Sequence, residues 1–240
     1  MLTRAIGRAV AAVVALASLL IVASRQPVSA QTSYPQMGAV GPYMITDRNA
    51  EISLARSAAP KSISRNATVL VMGLHGYQTA SAGTNGFVCL VERSWMSPFD
   101  SPEFWNPKIR GPICYNPPAA RTILPYTFNR TTLALAGVTR LQMHARIAAS
   151  LAHHQFPVPA AGAMSYMMSK SGYLGDAVAH WYPHLMFHVR ATSAANWGAD
   201  VNGSPVMYNS AYTDMPEAET IFMITVAHWS DGTAAPAGRM

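Results

Sequence analysis

Cys89 and Cys114, the chain's two cysteines, lie 25 positions apart, and pairing them constrains the fold more than any other feature of the sequence. Neither belongs to a C-x-x-C pair, which argues against a redox or zinc-ribbon role and for a structural disulfide. Closing a loop of that size stabilises a fold by about 3 kcal/mol in the chain-entropy model, more than most single contacts contribute. The stretch between them, with the few residues that follow, has no period. Residues 94–118 carry Pro98, Pro102, Pro107, Pro112, Pro117 and Pro118 together with Trp95 and Trp105. They read as a Pro/Trp-rich loop that the disulfide fastens to the edge of a sheet, an ordered rim rather than a floppy insert.

Disulfides persist in oxidising compartments, and the N-terminus agrees. Arg4 and Arg8 precede an apolar stretch at 9–23, and Val28-Ser29-Ala30 supplies the small residues of a signal-peptidase site. Residues 1–30 are therefore expected to be a signal peptide, cut between Ala30 and Gln31. The apolar stretch is shorter than the roughly 20 residues a spanning helix needs. The mature protein is expected to be secreted or periplasmic, with no membrane attachment after cleavage.

The leader takes Arg4, Arg8 and Arg25 with it and no acidic residue, so the net charge falls from +6 to +3. The remaining arginines are scattered rather than gathered in a stripe, which removes the argument for a nucleic-acid partner. Charged residues make up 12% of the chain, about half the roughly 25% of ordinary globular proteins. That excludes a charged disordered tail or a coiled coil and leaves a folded domain.

The pattern along 31–240 is strands, then helices, then strands. A helix is expected at 47–59, capped by Thr46, with Ala50, Leu54 and Ala58 on one stripe and Pro60 as the stop. Strands at 67–72, 77–81 and 87–92 suggest a three-stranded meander, the last turn being Ala82-Gly83-Thr84-Asn85-Gly86. A helix at 119–136, kinked or started by Pro125, ends at Gly137. Thr139-Arg140-Leu141-Gln142 then forms a capping box for a second helix, the pair reading as an αα-hairpin. Strands follow at 163–169, 185–190, 204–210 and 219–229. The expected class is α+β: one domain with an antiparallel sheet, an N-terminal three-stranded meander plus C-terminal strands, packed against the αα-hairpin.

Three groups of side chains could carry chemistry. His180, His184, His188 and His228 crowd the C-terminal half. Helical spacing would let three of them share zinc, but Pro183 and the strand-like Leu185–Val189 run would set His184 and His188 about 13 Å apart. Met164, Met167, Met168 and Met186 offer thioethers suited to copper, and equally to filling an irregular core. Glu92 and Arg93, with Asp100, Glu103, Trp95 and Trp105, form a possible ligand rim suited to a sugar or to acid/base chemistry. Ser165 lacks the glycines of a nucleophile elbow, and no serine-hydrolase motif is present. The leading expectation is an exported, non-catalytic binding or envelope-associated module for a small molecule or a cell-envelope component, without a cofactor. The alternatives are a histidine-based metal hydrolase, with zinc or copper, and a carbohydrate-binding protein using Trp95 and Trp105.

Overall fold

The computed structural model describes residues 34–208 and 219–236. The leader, its cleavage point and the end of the strand expected at 204–210 lie outside the described residues.

Eight strands form one sheet among the described residues: β1 (Thr68–Gly73), β2 (Gly76–Ser81), β3 (Val88–Glu92), β4 (Gly111–Tyr115), β5 (Met164–Met167), β6 (His184–Val189), β7 (Val206–Tyr208) and β8 (Thr220–Thr225). Their order is β2-β1-β3-β4-β5-β6-β8-β7. The neighbours are antiparallel except for β1 and β3, which are parallel. The α+β class holds, with a larger and mixed sheet. The N-terminal meander does not: β3 lies on the far side of β1 from β2.

The glycine-rich link explains why. Residues 82–87 pass across the start of β1 instead of turning a hairpin. Gly83 N–H donates to Thr68 Oγ1 at 3.0 Å and Thr84 N–H to the Asn66 carbonyl at 2.8 Å. A Cβ on Gly83 would stand 2.2 Å from the Thr68 backbone nitrogen, so only glycine permits this crossing.

Two strand faces are covered by different helices. α1 (Arg48–Arg56) starts at Asp47, not Thr46, because the Asp47 carboxylate accepts from the N–H groups of Asn49 and Ala50. Its Ala55, with Ala58 and Ala59, packs on Val69, Cys89, Val91 and Cys114. A separate short helix, α2 (Lys61–Ser64), follows Pro60. On the opposite face Leu70, Leu90, Ile113 and Tyr115 meet Ala119, Ile123 and Leu124. The single helix expected at 119–136 is two, α3 (Pro117–Thr122) and α4 (Leu124–Leu135), with Pro125 in the first turn of α4 where its missing N–H costs nothing.

α5 (Arg140–Ala152) begins with the capping box, Thr139 accepting from Gln142 N–H and Gln142 accepting from Thr139 N–H. Its Met143 and Ile147 are buried in a cluster with Trp95, Phe99, Phe104 and Trp105. The Pro/Trp-rich segment is therefore core-forming chain, and it contains β4. The Cys89–Cys114 disulfide is present but joins directly opposed residues of β3 and β4 within the sheet, so it staples two inner strands and not a loop to an edge. Pro112 is tolerated in β4 because β5 pairs only with Cys114 and Tyr115, so the ladder on that side has ended.

Candidate functional site

Strand alternation decides what the α3–α4 face of the sheet presents. Gly111, Ile113 and Tyr115 on β4, Met167 on β5, Met186 and His188 on β6, and Ile221 and Met223 on β8 face the same way. Together with Ile123, Tyr126, Thr127 and Arg130 from α3–α4 and Met96, Ile109, Leu174 and Trp181 from loops, they line a cavity of about 170 Å³. Its wall is apolar except for a few groups, among them Glu92, Tyr115, Thr127, Arg130, His188 and Glu219.

These groups form two hydrogen-bonded sets. In the first, the Tyr115 hydroxyl donates to Glu92 Oε1 at 2.6 Å and lies 3.1 Å from Thr127 Oγ1. Burial raises the Glu92 carboxyl above its ordinary 4.5, and outweighs both that hydrogen bond and the nearby charges of Arg130 and His188. Burial likewise pushes the Tyr115 phenol well up. Arg130 is fully buried; its guanidinium lies 4.3 Å from the centre of the Phe99 ring and donates to the Ser97 carbonyl at 2.8 Å.

In the second set His188 is held at both ring nitrogens. Nδ1 lies 3.3 Å from Glu219 Oε1 and Nε2 lies 3.0 Å from Ser165 Oγ. Which of the two ring nitrogens donates depends on the imidazole's tautomer. The order of atoms is that of a nucleophile, a base and an orienting acid. Ser165, however, is fully buried and does not border the cavity, so this series fixes the imidazole and closes off the hydroxyl. In the sequence Ser165 stands out only by residue type; its pairing with His188 depends on the β5–β6 register.

The raised Glu92 carboxyl makes stability depend on pH. The folded chain binds this proton more tightly than the unfolded chain, so its stabilising contribution is complete below about pH 4.5 and is lost as pH rises through the folded value. Glu92→Gln is expected to gain stability over the parent progressively above pH 4.5 and to show no relative gain below it. Urea unfolding of both proteins across a pH series reads this directly; a difference that does not change with pH would refute it.

The other residues singled out from sequence are dispersed. His180 and His228 are exposed, whereas His184 and His188 are buried. His184 Nδ1 bonds the Tyr182 carbonyl at 2.8 Å, and burial lowers its pKa. The four do not converge, and among the described residues no group of three His, Cys, Asp or Glu is placed to hold a metal ion. The sheet also divides the methionines: Met167 and Met186 border the cavity, Met164 alternates to the other face of β5, and Met168, just past the strand, does not border the cavity.

Trp95 and Trp105 are 0% and 1% exposed, so they supply no sugar-stacking platform; the Trp95 indole donates to Thr131 Oγ1 at 3.1 Å. Arg93 is paired to Glu51 at 2.7 Å. Glu103 accepts from the N–H groups of Asp176 and Ala177 and from Asn106, fastening the 174–177 loop. Asp100 is exposed. Of the expected rim, Glu92 is the residue that brings a carboxyl to the cavity. Tyr115, Thr127, Arg130 and Glu219 carried no signal beyond residue type.

The fold and site together define an α+β protein with a mainly apolar cavity on one face of a mixed sheet. No family model, curated protein or solved structure matches the chain. No helix of the described residues is long and apolar enough to cross a membrane.

Proposed function

We propose that this protein is an exported binding module that holds a small, largely apolar molecule in the cavity between the sheet and α3–α4. The observation that carries the reading is the cavity itself, about 170 Å³ walled by isoleucine, methionine and aromatic side chains with a few convergent polar groups. Ligand sites have that make-up: an apolar body for affinity and a few fixed polar groups for orientation. An engineered apolar cavity of about 150 Å³ accepts benzene, so this one suits a molecule of one ring or a short chain. The cross-strand disulfide and the leader-like N-terminus support export.

Methyl-labelled methionine provides the test, because Met96, Met167, Met186 and Met223 border the cavity and Met37 and Met164 do not. Titration with toluene is expected to shift the methyl resonances of the first four in NMR spectra, assigned by single Met→Leu variants, and to leave the other two in place. Shifts spread over all six, or none at all, would overturn the reading.

A further inference from the structure

We propose that the cavity takes a small aromatic amine, with its ammonium group held by Glu219. The inference rests on the binding reading above and adds the chemical class of the ligand.

Glu219 carries it. The side chain is 3% exposed and borders the cavity, and while Oε1 is hydrogen-bonded to His188 Nδ1, Oε2 is buried with no hydrogen-bond partner among the described residues. A buried carboxylate oxygen left without a donor bears its full desolvation penalty, which a hydrogen bond would offset. The neighbouring groups do not supply that donor. The Tyr115 hydroxyl is given to Glu92, and His188 is engaged at one ring nitrogen with Glu219 Oε1 and at the other with Ser165. Arg130 donates to Ser97 and lies against Phe99, and its charge acts on Glu92. The group missing from this arrangement is a donor to Oε2, and a cationic one makes that hydrogen bond in its stronger, charge-assisted form.

The rest of the ligand follows from the wall. Thioether sulfurs make favourable contacts with aromatic ring edges, and four methionines border the space with Trp181 and Tyr115. An aromatic face also attracts a cation. A carboxylate ligand would instead place a second negative charge beside Glu219.

Calorimetric titration of the full chain with benzylamine, benzyl alcohol and benzoate tests the assignment. Benzylamine is expected to bind at least about tenfold more tightly than either of the others, the difference between a charge-assisted and a neutral hydrogen bond. Glu219→Gln is expected to remove that advantage while keeping benzyl alcohol affinity within about twofold. Benzyl alcohol or benzoate binding as tightly as benzylamine, or undiminished amine affinity in Glu219→Gln, would overturn the amine and leave the cavity reading intact. Silence of all three probes would overturn the amine, and the toluene titration then decides the cavity reading. Should Glu219→Gln fail to fold, the ranking of the three probes on the parent protein decides.

Discussion

Arg93→Met is expected to lower the unfolding free energy by about 3–5 kcal/mol, the usual result of removing one partner from a buried ion pair. Arg93 and Glu51 are each 1% exposed, and Arg93 Nη2 meets Glu51 Oε1 at 2.7 Å. The same guanidinium donates through Nε to the Tyr43 carbonyl at 2.7 Å and through Nη1 to the Val91 carbonyl. Glu51 Oε1 also accepts from Met72 N–H at 3.1 Å. One fork therefore ties the segment before α1 to the end of β3, while its partner carboxylate ties α1 to β1.

Without Arg93, the Glu51 carboxylate stays in the interior with one neutral donor, the Tyr43 carbonyl loses its side-chain donor, and the Val91 carbonyl keeps only the Tyr77 hydroxyl among its side-chain donors. The double variant Glu51→Leu/Arg93→Met removes the stranded charge and is expected to recover a large part of the loss, because a well-packed apolar pair is often no worse than a buried ion pair. Urea unfolding of the parent, both single variants and the double variant measures the coupling. Additive losses would show that the two side chains act independently.

Replacing both cysteines, Cys89→Ala/Cys114→Ala, is expected to cost about 3–4 kcal/mol from the released loop alone, with a further loss for the space left between two inner strands. The sulfurs are wholly buried and the residues are directly opposed. Their inaccessibility has a kinetic consequence: thiolate attack needs access to a sulfur atom. Reduction by dithiothreitol under native conditions is expected to proceed at the rate of opening of the sheet, independent of reductant concentration at high concentration. Rapid reduction, first order in dithiothreitol throughout, would contradict the buried position, and a double variant as stable as the parent would contradict the stabilising role.

Much of this architecture is legible locally. Seven of the eight strands fall within or beside runs read from β-branched and aromatic residues. The α5 capping box is visible as four consecutive residues, and Gly137 marks the end of α4 with a φ of +71°. β4 was hidden because Gly111 and Pro112 mimic loop chemistry, and only the place where β5 stops pairing makes the proline acceptable. The parallel β1–β3 pair was hidden for a related reason. Ala82-Gly83-Thr84-Asn85-Gly86 has the composition of a hairpin turn, and its use as a crossing under β1 depends on contacts with Asn66 and Thr68.

The site was less legible than the fold. Histidine spacing pointed to four residues, but burial and partners, which spacing does not contain, separate His188 from His180, His184 and His228. Trp95 and Trp105 looked like a recognition surface because their segment is rich in proline; the hydrophobic effect places them in the core with Met143 and Ile147.

What the sequence by itself determined is the local chemistry: the α+β class, the cysteine pair, the helix caps and most strand positions, since each rests on residues near one another along the chain. What only the tertiary structure decided is the cavity and its polar groups. Glu92, Tyr115, His188 and Glu219 lie on or beside four different strands and Thr127 and Arg130 on a helix, and they meet because strand order and register set them on one face. A side-chain period of two turns a one-residue shift of register into the opposite face. The pairing that decides register is made between segments far apart in the chain, where no local pattern records it.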